Sequence, residues 1–237
     1  MEELVEGASQ HFLDGWVDDK GNYHMWASFD LLFYSPPAVF GYVTPSQESA
    51  SVVCAMKEIT TKAAKSYELK NTFLHTELWK RGSMLDIVEV NGRFSGGTFA
   101  IYNHVYNSSL YKAATYLACG EYDKCQKESP ESKPPPNCVG MSFNVITFGK
   151  GVASDLLNFP LARTLGEKEG VYNSYDEAGV RFFIQDDTWI SPTQANGVLL
   201  AGFNLSGPTF QGVYEKGKDI ISQLLLQPQY TPGFSKL

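Results

Sequence analysis

Long apolar runs are missing from this sequence. No apolar run approaches the roughly 18 residues that a membrane-spanning helix needs, and the opening residues MEELVEGASQHFLDGWVDDK are acidic. Neither a membrane anchor nor a signal peptide is expected from them. Basic clusters are equally scarce. Lys and Arg never run longer than two and the formal net charge is −7, so the cationic footprint that nucleic acid requires is absent. Cysteine is sparse too: Cys54, Cys119, Cys125 and Cys138 are the whole complement. The intervals of six and thirteen between the last three match no zinc pattern, so free thiols in a reducing, cytoplasmic compartment are expected. There is no Gly-x-Ser-x-Gly nucleophile elbow, and His11, His24, His75 and His104 are scattered without metal-ligand spacing. No internal repeat is found.

What is present is the material of a packed core. Of 237 residues, 43% are hydrophobic and 14% aromatic against 19% charged, which excludes a disordered chain and suits one composite globule. From Leu4 to Phe33 a loose alternation, broken at Asp18-Asp19-Lys20-Gly21-Asn22, predicts two strands joined by a turn and stopped at Ser35-Pro36-Pro37. Thr44, Pro45 and Gln47 resemble a helix start, and Val52, Met56, Ile59 and Ala63 follow at helical spacing, so a long helix to about Glu68 is expected. Strands are predicted over Thr72 to Trp79 and Leu85 to Asn91 as an antiparallel hairpin, and a second helix begins near Ser108 or Ser109. Residues 121–138, with Pro134-Pro135-Pro136, read as a linker without regular structure. Beyond it, Met141 to Phe148, Val180 to Gln185 and Val198 to Phe203 are strand-like, and Pro208 opens a final helix. The expected division is a lobe over 1–120, the linker over 121–138, and a β-rich lid-like unit with a C-terminal helix over 139–237.

The hairpin carries the chemistry. Strand alternation places His75 and Glu77 on one face of the first strand, and Glu89 and Asn91 on one face of the second. A three-residue loop of Gly82, Ser83 and Met84 would set Glu77 and Glu89 directly opposite, where like charges cost about 0.2–1 kcal/mol unless a cation sits between them. Magnesium suits two carboxylates, an amide oxygen from Asn91 and phosphate oxygens, and Arg93 offers a planar clamp for phosphate. The bland alternative for this pattern is a solvated hairpin edge. For His75 a core role outweighs a catalytic one.

The run His75-Thr76-Glu77-Leu78 followed by Val88-Glu89-Val90-Asn91-Gly92-Arg93-Phe94-Ser95-Gly96-Gly97 resembles the signature of the ATP-grasp superfamily. There, a metal-binding Glu precedes a second strand reading Glu-x-Asn-x-Arg by about a dozen residues. The opening Glu2-Glu3-Leu4-Val5-Glu6-Gly7 resembles that family's hinge. The resemblance is good over residues 1 to about 118 and looser beyond Met141. It implies an α/β (α+β) fold, the carboxy-terminal subdomain of an ATP-grasp protein: an antiparallel sheet with helices and a small β-rich lid. It further implies a ligase that joins a small carboxylate, such as an amino acid, to an amine through an acyl-phosphate. In such an enzyme Glu77, Glu89 and Asn91 would hold Mg2+, with Mn2+ as the alternative, and Arg93 would stabilise the transferring group. Glu2, Glu3, Leu4 and Val5 would meet the nucleotide, together with Glu77 and Glu89. Gly7-Ala8-Ser9-Gln10 lacks the second acidic residue that many relatives carry after the hinge Gly. The family's amino-terminal lobe would lie before residue 2. An incomplete sequence, a partner chain supplying that lobe, and a non-catalytic remnant or interaction module are the three expectations this leaves.

Overall fold

The computed structural model describes residues 7–35, 38–133, 136–166, 169–191 and 197–227. The chain opens with β1 (Ser9–Val17), β2 (Tyr23–Ser35) and β3 (Ala38–Thr44), followed by helix α1 (Ala50–Ser66) and the hairpin β4 (Thr72–Arg81) and β5 (Met84–Asn91). Three helices come next, α2 (Phe99–Tyr106), α3 (Leu110–Ala118) and α4 (Tyr122–Glu128). Then follow β6 (Val139–Thr147), β7 (Gly151–Val152), α5 (Phe159–Thr164), β8 (Arg181–Phe182), β9 (Trp189–Ile190), β10 (Val198–Gly207) and α6 (Phe210–Leu224). Eight strands form one antiparallel sheet in the order β5-β4-β1-β2-β3-β6-β10-β8. A two-stranded pair, β7 with β9, stands apart.

The mixed α/β expectation holds, as do the first hairpin, the β4–β5 hairpin, α3 and α6. The start of α1 does not. Thr44, expected as its cap, closes β3 instead: its hydroxyl donates to the Ser28 carbonyl at 2.8 Å and meets the Tyr106 hydroxyl at 2.6 Å. With that oxygen engaged, the helix starts at Ala50 behind Ser49. Strand β3 escapes the sequence reading because the prolines before it look like a stop, yet Gly41 lets it lie against β6: a Cβ there would fall 2.0 Å from the Ser142 carbonyl oxygen. The region expected to lack regular structure contains helix α4, whose Cys125 is fully buried against α3. All four cysteines are free thiols. None of the helices among the described residues is long and apolar enough to cross a membrane.

The sheet has two differently dressed faces. On one, α2 and α3 cover Phe12, Trp16, Trp26 and Phe29; on the other, α1 packs Met56 against Leu13 and Leu78, and α6 packs on Phe40, Met141, Phe143 and Phe203. Fully burying each such side chain contributes roughly 1.5–3 kcal/mol. The sheet runs unbroken through the segment boundaries set from sequence, because β3 pairs with β6 from Gly41 opposite Phe143 to Thr44 opposite Gly140. A bulge at Asp14–Gly15 fixes the β1–β2 register. The glycine there cannot carry a side chain, since a Cβ would lie 2.5 Å from the His24 carbonyl oxygen.

Candidate functional site

The β4–β5 hairpin sets Glu77 directly opposite Glu89. It does so by a different route from the one expected: Arg81 pairs with Met84, so the loop is the two residues Gly82 and Ser83, and a bulge between Glu77 and Leu78 supplies the missing step. Gly82 adopts φ 59°, the left-handed conformation that such a tight loop calls for. Directly paired residues share a face, and Glu77 is in turn opposite Phe12 of β1, so the two carboxylates lie on the face that bears α2 and α3.

Each carboxylate is held. Glu77 accepts from Gln10 Nε2 at 2.8 Å and pairs with His75 Nε2 at 3.2 Å; Glu89 accepts from Asn91 Nδ2 at 2.6 Å. That bond turns the Asn91 amide nitrogen toward Glu89 and leaves its oxygen available as a ligand. The hydrogen bond from His75 holds the Glu77 carboxyl below its usual range, assisted by the charges of His75 and Arg93 and by Gln10, against partial burial. Arg93 donates to the Phe94 carbonyl at 3.0 Å and lies near enough to act on Glu77 electrostatically.

His75 is a core residue with a partner on each nitrogen. Its Nδ1 meets Asp14 Oδ1 at 2.6 Å in a fully buried setting. Burial alone would lower its pKa, but the hydrogen bonds and charges of Asp14 and Glu77 outweigh that and raise it to about 9. Asp14 also accepts from the Tyr102 hydroxyl and, through both oxygens, from the Ser95 amide at 3.3 Å. The loop that follows Asn91 and Arg93 is therefore tied to β1 by a carboxylate that sequence reasoning passed over. The signal was available: an acidic residue in the middle of the strand His11-Phe12-Leu13-Asp14-Gly15-Trp16, where a fully buried charge demands a partner.

On the same face, a cavity of about 390 Å3 is lined by Gly96, Gly97, Tyr42, Asn144, Asn204 and Arg181, among others. Burial raises the Tyr42 hydroxyl to about 12, so it is present as a neutral donor. Arg181 rests between the Tyr175 and Phe183 rings, 4.8 and 4.9 Å from their centroids, and donates to Ser174 Oγ at 3.1 Å. Among the described residues no carboxylate forms an ion pair with it. The sequence reading missed Arg181 because a short strand and two turns, rather than a motif, carry it there.

This architecture matches solved structures. Phosphoribosylglycinamide synthetase from Anaerococcus prevotii aligns at a TM-score of 0.70 and 17% identity over 94% of this chain and 53% of its own. The L-amino acid ligase from Bacillus licheniformis aligns at 0.76 and 13% identity over 95% and 55%. The fold is that of ATP-grasp ligases over about half of their length. A third ATP-grasp structure of this kind, the biotin carboxylase domain of the Hydrogenobacter thermophilus 2-oxoglutarate carboxylase, was solved with MgADP and bicarbonate and aligns at 0.66 and 14% identity over 94% and 47%. The chain thus spans about half the length of the ATP-grasp structures it matches. No family model and no curated protein matches it by sequence.

The donor set fits a hard cation. Two carboxylates from neighbouring strands and one amide oxygen supply oxygen ligands only, which suits Mg2+ completed by phosphate and water. Among the described residues no group of three or more His, Cys, Asp or Glu converges as a metal site, so the fit rests on Glu77, Glu89 and Asn91 acting with a ligand. Glu2, Glu3, Leu4 and Val5, expected at the ATP-grasp hinge, lie outside the described residues.

Proposed function

We propose that this chain is the ATP- and Mg2+-binding half of an ATP-grasp ligase that joins a small carboxylate to an amine through an acyl-phosphate. The observation that carries the reading is the rung formed by Glu77 and Glu89, with Asn91 bonded to the second and Arg93 acting on the first. Mg2+ bound there would neutralise the β- and γ-phosphate charge. Arg93 would meet the charge that grows on the transferring phosphoryl group, while the substrate carboxylate oxygen attacks the γ-phosphorus and ADP leaves. An amine then attacks the acyl carbon, phosphate departs, and the amine gives up a proton. Arg181, facing the adjoining cavity without a carboxylate partner among the described residues, would hold a carboxylate of the incoming substrate bidentately. Glu2, Glu3, Leu4 and Val5 would line the adenosine side. The remaining cleft would come from a lobe outside this chain, a partner or a further segment, and a soluble cytoplasmic setting fits the reading.

Calorimetric titration of MgATP, with and without EDTA, tests it. Binding that needs Mg2+ and weakens at least about tenfold in Glu89→Gln, the equivalent of 1.4 kcal/mol, is the expected result. The same substitution should raise the melting temperature of the nucleotide-free protein slightly, because it removes a like-charge pair worth about 0.2–1 kcal/mol. Equal MgATP affinity in the wild type, Glu77→Gln and Glu89→Gln would overturn the assignment.

A further inference from the structure

The opposite face of the sheet holds a second chemical constellation. Ser9 and His11 are two apart on β1 and so project from the same side. Ser9 Oγ lies 2.7 Å from His11 Nε2, and His11 Nδ1 lies 2.8 Å from Asp30 Oδ1 on the neighbouring strand, where the two residues are register partners. In the neutral tautomer that donates from Nδ1 to Asp30, Nε2 is the acceptor that faces the serine hydroxyl. The imidazole is 2% exposed, and Asp30 is itself fixed by the Ser46 hydroxyl and by the Gln47 amide at 2.6 Å. Nucleophile, base and orienting carboxylate thus stand in the order and at the distances that acyl-transfer chemistry uses, and such a trio is recognised by geometry and not by sequence spacing.

Two further features favour chemistry over a merely satisfied core histidine. All three residues line a cavity of about 740 Å3, whose apolar wall includes Leu32, Val43, Phe210 and Tyr214. Lys80 is the direct cross-strand partner of Ser9 and lines the same cavity. Paired strand positions set Cβ atoms about 4.5–5.5 Å apart, so the Lys80 stem stands beside Ser9 at the cavity wall. Glu48 sits 3.8 Å from His11 Nε2 and 3.0 Å from the Lys80 ammonium, placed to steady a transient imidazolium.

We propose that Ser9, His11 and Asp30 form a serine-nucleophile site for carboxylic esters with an apolar acyl or aryl group, independent of the nucleotide face. In the first half-reaction Ser9 Oγ bonds to the acyl carbon and its proton passes to His11 Nε2. The ester C–O bond then breaks and the departing alkoxide takes that proton. In the second half-reaction water attacks the acyl-serine, again losing its proton to His11, and Ser9 Oγ is restored as the carboxylic acid leaves.

The test uses the full chain with a fluorophosphonate probe and p-nitrophenyl butyrate, in the absence of nucleotide and Mg2+. Peptide mass spectrometry should find a single phosphonyl adduct on Ser9. Ester hydrolysis should fall to background in Ser9→Ala, and labelling should slow on the order of 10³–10⁴-fold in Asp30→Asn, which leaves the shape of the side chain intact. An unmodified Ser9 in folded wild-type protein, or hydrolysis in Ser9→Ala equal to that of the wild type, would overturn the proposal. Neither outcome depends on Glu77 or Glu89, so failure here and failure of the ligase reading are separate results.

Discussion

Buried and half-buried carboxylates decide most of the local architecture, and their partners differ in legibility. Glu77, Glu89, Asn91 and Arg93 stand out in sequence because their interval resembles the ATP-grasp signature, and the hairpin register sets the first two opposite each other. Asp14 and Asp30 do not, since the groups that satisfy them come from distant segments: Tyr102 and Ser95 for the first, Ser46 and Gln47 for the second. Asp18 is an intermediate case, a turn residue whose carboxylate accepts from the Lys20 and Asn22 amides at 2.9 and 2.8 Å, the Asn22 side chain at 2.9 Å and His24 at 3.2 Å. Partial burial opposes its charge, but those bonds prevail and lower its pKa from 3.8 to about 2. A carboxyl depressed in the folded state contributes stability that is complete above its unfolded value and is lost as pH falls through the folded one. Asp18→Asn is therefore expected to cost about 1–2 kcal/mol near neutrality. That difference from the wild type should shrink as pH drops from about 4 toward about 2, read by urea unfolding at each pH.

At the level of elements, amphipathic helices and β-branched hairpins were readable, whereas elements buried on several sides were not. Helix α2, Phe-Ala-Ile-Tyr-Asn-His-Val-Tyr, has the composition of a strand, and what makes it a helix is its seat on β6, where Gly140 leaves room for Val105 and Ile101. Tertiary packing overrides weak local preference in such segments. Helix α6 shows the same dependence from its own side. Gly217 faces the fully buried Phe143 ring, and a Cβ there would come within 2.1 Å of it. Alanine would gain up to about 1 kcal/mol of helix propensity but force a ring with no free space to move, at about 1–3 kcal/mol. Gly217→Ala should accordingly lower stability by on the order of 1 kcal/mol in chemical denaturation, while a helix governed by propensity alone would become more stable.

Across the whole molecule, the β3–β6 seam joins what the sequence separates by four helices, a hairpin and a Pro-rich stretch. Since that seam is buried from both sides, the halves should unfold together. Tryptophan fluorescence, dominated by the buried Trp16 and Trp26 of the earlier half, and far-UV circular dichroism, which sees α1 and α6 alike, should give one coincident midpoint; two midpoints would show that the later strands form a separate cooperative unit. The antiparallel β1 has a final consequence. Between residues 9 and 12, Phe12 and the Gln10 amide lie on the Glu77 side while Ser9 and His11 lie on the Asp30 side, and the bulge at Asp14–Gly15 fixes that register. Parity along these four residues thus separates the two proposed sites on a shared backbone, so that each can be altered by substitution with the other's side chains left in place.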